Sequence, residues 1–276
     1  MRNSGRSAAS SAAAHVSHMF VLTPVVWNYA LAEQVANPQA ALAVGVSTAF
    51  GILAWGLRAV TVGGALTGVV LTSLFCLGSG PQALVPVLCL FLLTFIATRL
   101  GHAEKLSRRL AERSKGRRST QIIANVGVAV LCSVPILLVE DAPYGLLMIG
   151  ASAALAEAAA DTVSSEIGQW IGRQPYMITT MRPVEHGTDG GITLIGTFVG
   201  IVAGIFVAAS CVWARLIAHR WFWLVVLCAT LGMLIDSVLG ATLERRGKLG
   251  NDGVNYSSSA IAAMLALGTA FLLVLR

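Results

Sequence analysis

Asp161 stands one helical turn after Glu157 in the string E-A-A-A-D-T-V-S-S-E-I-G, on a face shared with Ser164 and Ser165. The string ends a long apolar run, and ionisable groups at membrane depth are costly unless they are paired or put to use. No Lys or Arg lies within a turn of Asp161. Asp161, Asp189 in G-T-D-G-G and Asp236 in I-D-S-V-L-G-A-T come from three different helix ends. Carboxylates gathered in that way suit a hard divalent cation such as Mg2+. The competing reading pairs them with Arg173, Arg182 or loop lysines. Glu157 lies deeper and suits an interhelical hydrogen bond. Glu166, just past the helix end, suits either a substrate contact or a basic partner.

The segment G-T-D-G-G-I-T-L-I-G-T (187–197) is rich in glycine and leads into a helix. Gly190 and Gly191 can bring backbone N–H groups close to a phosphate, and a helix N-terminus favours an anion. Thr188, Thr193 and Thr197 add hydroxyls. A Walker A loop is excluded, because the Gly-Lys-Ser/Thr ending is missing. Gly196, Gly200 and Gly204 recur every fourth residue and read as a helix-packing stripe. Asn125 with Gln121, and Asn251 and Asn255 with Ser257–Ser259, suit phosphate, nucleotide or headgroup contacts; they suit helix caps and interhelical bonds equally. His186 reads as a loop histidine. Neither a Ser–His–Asp or Cys–His set nor H-E-x-x-H is present, which places hydrolytic chemistry low.

The elements that must carry these residues are membrane helices. Hydrophobic residues make up 56% of the chain and charged residues 12%, about half the usual globular share of charge. A soluble fold of this length cannot hide so much apolar surface, so an all-α, polytopic transmembrane bundle is expected. About eight windows approach the ~20 residues of a spanning helix: 38–58, 61–79, 82–99, 121–139, 143–163, 191–212, 221–242 and 256–275. Residues 38–276 read as a transmembrane helical domain. Residues 1–37 read as a variable N-terminal segment, disordered at first, then interfacial or one extra span over 19–36. The five cysteines all lie in apolar stretches without a C-x-x-C pair and read as buried small hydrophobes.

The net charge of +6 is concentrated, with eight of the nineteen Lys and Arg in residues 99–118. Such a block marks the cytoplasmic side and lies against anionic headgroups. Nucleic acid is not an expected partner, since neither a reader motif nor aromatic interleaving accompanies the charge. With that loop inside, the alternating spans put fourteen Lys or Arg inside and three outside, leaving Arg2 and Arg6 unassigned. The same arrangement brings the segments near 61, 121, 161, 189, 236 and 251 to one face. A polar site at the cytoplasmic side, in contact with the bilayer, is the resulting expectation; the oligomeric state is left open.

Together, D-T-V-S-S-E-I-G, I-T-T-M-R-P-V-E-H-G-T-D-G-G-I-T-L-I-G-T, I-D-S-V-L-G-A-T and N-D-G-V-N-Y-S-S-S resemble an integral membrane family long catalogued as a domain of unknown function. That family includes the plant phytyl-phosphate kinase. Q-I-I-A-N and G-G-A-L-T-G fit as well, and the likeness runs over roughly residues 40–275. Asn251-Asp252 departs from the neutral, Asn-rich run expected there. The resemblance implies transfer of phosphate from a nucleoside triphosphate, CTP or another, to an isoprenoid monophosphate, giving the diphosphate. On that reading Asp161 and Asp236 are catalytic, with Asp161, Asp189 and Asp236 holding Mg2+ and Arg182 of M-R-P clamping phosphate, Arg173 being a second choice. Glu166, Thr188, Asp189, Gly190, Gly191, Thr193, Asn125, Ser165, Asn251 and Asn255 would bind substrate or nucleotide. A CTP-dependent lipid nucleotidyltransferase is the alternative enzyme, and a transporter of an anionic lipid the alternative outside enzymes.

Overall fold

A computed structural model describes residues 38–108, 110 and 116–275. The N-terminal segment 1–37, with its expected tail and 19–36 stretch, lies outside the described residues, as does the C-terminal Arg276. Residues 42–276 form one compact unit; of the separate unit 1–41, only Pro38–Ala41, the first turn of a helix, are described.

Among the described residues the regular structure is helical, apart from one small hairpin. The long helices are α1 (Pro38–Gly56), α2 (Val62–Ser79), α3 (Leu84–Arg99), α5 (Ser119–Leu138), α6 (Tyr144–Ile171), α7 (Leu194–Trp213), α8 (Phe222–Leu239) and α9 (Asn251–Val274); α4 (His102–Ser107) is a short helix in the basic loop. Seven stretches, counted with their flanking turns, are long and apolar enough to cross a membrane, and the apolar part of α1, Ala40–Gly56, is shorter. The protein is a multi-pass integral membrane protein of roughly eight spans. Its side chains Leu66, Phe198, Trp223 and Leu272, among many, turn outward as lipid-facing groups must.

α6 is the axis of the bundle. It packs against α3, α5, α7, α8 and α9, and its middle is Ala, Gly and Ser with few large side chains. Small residues let neighbouring backbones approach, which drives association where lipid is as apolar as the protein. The glycine stripe of α7 uses this closeness. A Cβ at Gly196 or Gly200 would sit 2.7 Å or 2.6 Å from the carbonyl oxygens of Ser164 and Ala160. The stripe therefore packs α7 onto α6, as its spacing predicts.

Three boundaries differ from expectation. α6 runs to Ile171 rather than ending near 163, because protein rather than lipid surrounds its last turns. α9 begins at Asn251, so the polar N-D-G-V-N string is its first turn. Beyond Leu239, α8 widens into a π-helical turn, Gly240–Glu244. The hairpin pairs Tyr176–Met177 (β1) with Gly191–Ile192 (β2), antiparallel.

Candidate active site

One end of the bundle holds a cavity of about 1160 Å³. Its walls come from the α1–α2 linker, the C-terminal ends of α3 and α6, the starts of α5 and α9, α4, and the turns at Asp189 and Glu244. Among the residues singled out from the sequence, Asn125, Asp161, Ser165, Glu166, Asp189, Asn251 and Asn255 line it. These positions are far apart in the chain and meet because each follows or precedes a membrane crossing that ends at this face.

Asp161 is buried, and its carboxyl group contacts that of Asp236. Asp236 lies just beneath the cavity wall and accepts a hydrogen bond from the Ser258 hydroxyl at 3.0 Å. One turn deeper, Glu157 is fully buried; Ser259 donates to its Oε2, whereas Oε1 has no partner. Gly232 makes room for this side chain, since a Cβ there would stand 2.6 Å from Glu157 Cγ. Glu244, brought inward by the π-turn, lies within electrostatic reach of Asp161, Asp189, Asp236 and Asp252. Among the described residues the one ion pair is Lys105–Glu166. The carboxyl groups around Asp161 therefore face one another without a basic side chain to balance them.

Part of the wall is basic. Arg58, Arg99, Lys105 and Arg117 all line the cavity, and all belong to the chain between α1 and α5. Arg117 donates to Thr94 Oγ1 at 2.7 Å and Thr98 Oγ1 at 3.4 Å. Burial pushes its guanidinium below the ordinary value, and the Glu166 carboxylate acts in the opposite sense. Lys105, almost wholly buried, donates to the Ala97 and Thr98 carbonyls at 3.2 and 3.3 Å and to Glu166. Arg99 donates to the Leu57 carbonyl at 2.9 Å. Below these, Thr61 caps α2 through Gly64 N–H at 3.1 Å, and its own N–H bonds the Arg117 carbonyl at 3.0 Å. Gly64 is required there, because a Cβ would collide with that carbonyl. Thr61 and Gly64 thus seat the basic loop on the bundle.

Several candidates lie elsewhere. Arg182 is exposed in the loop between β1 and β2 and is not part of the cavity wall; Arg173 and His186 are likewise outside it. The glycine turn serves packing. Gly190, at φ +79°, presses on Ala241 so closely that a side chain would clash, and Gly191 N–H already bonds the Thr188 carbonyl at 2.9 Å. The Thr188 hydroxyl donates to the Glu185 carbonyl at 2.8 Å, and Thr193 caps α7 by accepting from Gly196 N–H at 3.1 Å. Gln121 accepts from Arg118 N–H at 2.9 Å while facing the cavity.

The donor set suits a divalent ion in part. Asp161 and Asp236 offer adjacent oxygens, but Asp189 stands nearer Glu244. Among the described residues no three His, Cys, Asp or Glu side chains form a closed metal site. Mg2+ is seldom held in an all-protein cage and commonly takes one or two carboxylates together with substrate phosphates. A pair of carboxylates open to a basic cavity fits that habit.

Comparison with known proteins bears on most of the chain. An uncharacterized membrane protein of Synechocystis is 31% identical over 192 residues, covering 68% of this chain and 74% of the relative. One from Methanocaldococcus jannaschii is 31% identical over 214 residues, covering 75% and 82%. Protein VTE6, chloroplastic, from Arabidopsis thaliana is 28% identical over 194 residues, covering 68% of this chain and 58% of its own length. No solved structure matches the chain. The profile of the integral membrane protein family DUF92 matches residues 45–263, and the chain belongs to that family.

Proposed function

We propose that the protein transfers the terminal phosphate of a nucleoside triphosphate to a prenyl monophosphate, making the diphosphate at the cytoplasmic face of the membrane. The observation that carries this reading is the polarity of the cavity. The carboxyl groups of Asp161 and Glu244, with Asp236 against Asp161, have no ion-pair partner and meet the same cavity as Arg58, Arg99, Lys105 and Arg117. A reaction between two phosphates needs both kinds of group.

A monophosphate, with a second pKa near ~6, is already an anionic nucleophile at neutral pH. Its attack needs screening and alignment more than a general base. Its oxygen bonds to the γ-phosphorus as the bond to the β–γ bridging oxygen breaks, leaving a nucleoside diphosphate and a lipid diphosphate. Arg99 and Arg117, fixed by the Leu57 carbonyl and by Thr94 and Thr98, would hold the phosphates at set positions. Lys105, already bonded to Glu166, keeps the basic wall in place. Asp161 and Asp236 would hold a magnesium ion, which screens charge on the nucleotide when bound. Asn125, Asn251 and Asn255 are neutral donors and acceptors on the same wall, suited to the nucleotide. This reading departs from the sequence in giving the phosphate clamp to Arg99 and Arg117 rather than Arg182.

The test is an assay of the purified protein with prenyl monophosphates, Mg2+ and each nucleoside triphosphate in turn. A lipid diphosphate released with a nucleoside diphosphate supports the proposal. A nucleotidylated lipid released with pyrophosphate identifies a nucleotidyltransferase instead.

A further inference from the structure

The polar walls do not enclose the whole cavity. Trp55 at the end of α1, and Phe91 and Phe95 on α3, line it too. Phe91 and Phe95 are one turn apart and stacked, with ring centroids 5.6 Å apart; Phe50 of α1 meets Phe91 edge-on at 4.8 Å. The next residue along that face, Arg99, places its guanidinium 4.8 Å from the Phe95 ring centroid. Phe50, Phe91, Phe95 and Arg99 thus form a strip that begins among rings inside the membrane span and ends in the basic wall. Arg58 flanks that end.

Among the described residues α1, which bears Phe50 of this strip, is loosely held. It makes only slight contact with any other described helix; its close approach is at Gly51, where a Cβ would come 2.5 Å from Val69 of α2. Ile52 and Leu53 are more than half exposed, as is Trp55, which lines the cavity. The side of α1 toward α3 carries Phe50 and, among the described residues, only slight helix packing.

We infer that the gap between α1 and α3 is the lateral entry through which one hydrocarbon chain of a lipid monophosphate reaches the cavity, its tail on Phe50, Trp55, Phe91 and Phe95 and its phosphate at Arg58 and Arg99. The inference rests on the phosphotransfer reading for the head group, but the tail's position follows from the aromatic strip. The strip is one side chain wide, which suits a single chain rather than the paired chains of a glycerophospholipid. From Phe91 to Arg99 α3 rises about 12 Å. Only the carbons nearest the phosphate touch the rings, and the rest of the tail lies in the bilayer. Selectivity should therefore follow the head-proximal carbons and not total chain length.

The test uses full-length protein in nanodiscs and a long-chain alkyl monophosphate carrying a diazirine near the phosphate. Photolysis should label peptides covering residues 50–58 and 91–99; labelling confined to α2, α5, α7 or α9 overturns the inference. In turnover assays Trp55→Ala and Phe91→Ala should raise KM for prenyl monophosphate up to about tenfold while leaving KM for the nucleotide unchanged. Equal effects on both KM values also overturn it. Trp55 is mostly exposed, so its variant keeps the test independent of folding. Labelling at α1 and α3 without lipid phosphorylation would retain the entry and dismiss the kinase. Phosphorylation with labelling elsewhere would do the reverse.

Discussion

Replacing Asp161 with Asn separates what this residue does for folding from what it does for function. The side chain keeps its volume, and the amide can still donate to Asp236, whose carboxyl it touches. Glu157 and Glu244 also act on this position, and among the described residues none of these four carboxyl groups has an ion-pair partner. Two like charges ~4 Å apart at an effective dielectric of about 20 repel by about 4 kcal/mol, an upper bound on what neutralisation can relieve. The ion-free variant should accordingly melt at or above the wild-type temperature. For a bound divalent cation the sign is opposite and the charge product doubles. Losing one carboxylate ~4 Å from such an ion costs up to about 8 kcal/mol at that dielectric, so affinity should fall by roughly a thousandfold or more. Thermal unfolding in detergent, with and without Mg2+ and nucleotide, reads both effects. Asp161→Asn should keep its melting temperature, lose the ligand-induced rise and lose turnover. Turnover and a ligand-induced rise equal to wild type would refute the reasoning, as would a large drop in stability without ligand.

The buried ammonium of Lys105 gives a second prediction. Breaking a buried pair costs about 3–5 kcal/mol, and because Glu166 is 25% exposed to the cavity, Lys105→Met should fall toward the lower end of that range. Lys105→Met with Glu166→Gln should recover much of the loss, as chemical denaturation of the two variants would show. A third concerns Arg58, whose backbone lies at φ +55°, a left-handed conformation costing a non-glycine residue about 1–2 kcal/mol. Arg58→Gly relieves that strain against a glycine entropy cost of roughly 0.5–1 kcal/mol. Stability should hold or rise slightly while KM for the lipid phosphate increases; an unchanged KM would remove Arg58 from the basic wall.

Hydropathy alone located the eight long helices to within a few residues at most ends, because lipid imposes length and apolarity on each crossing. It failed where protein, not lipid, is the surrounding medium. Asp161, Ser164, Ser165 and Glu166 lower the hydropathy of α6 as a helix stop would, yet they continue the helix toward a cavity. Asn251–Asn255 concealed the first turn of α9 in the same way. The carboxylate side of the site was legible, since acids stranded in an apolar run are conspicuous. Glu244 was not, because its inward aim depends on the π-turn.

The basic wall was visible only as a topology signal. Charge counting cannot tell residues that rest on headgroups from Arg99, Lys105 and Arg117, which turn inward. The available clue was Thr94 and Thr98, spaced by one turn on the face of α3 that receives Arg117. The loop arginine Arg182 drew attention through its M-R-P setting, although it lies outside the cavity wall. Gly190 carries a related ambiguity, since glycine spacing alone cannot distinguish approach to a phosphate from approach to Ala241.

The most direct measurement is an experimental density map of the protein with Mg2+, a non-hydrolysable nucleoside triphosphate and a prenyl monophosphate. Phosphate density is expected between Asp161 and Arg117, metal beside Asp161 and Asp236, and tail density between α1 and α3. Polyphosphate bound at the Arg182 hairpin, with the carboxylate cavity empty, would contradict that expectation.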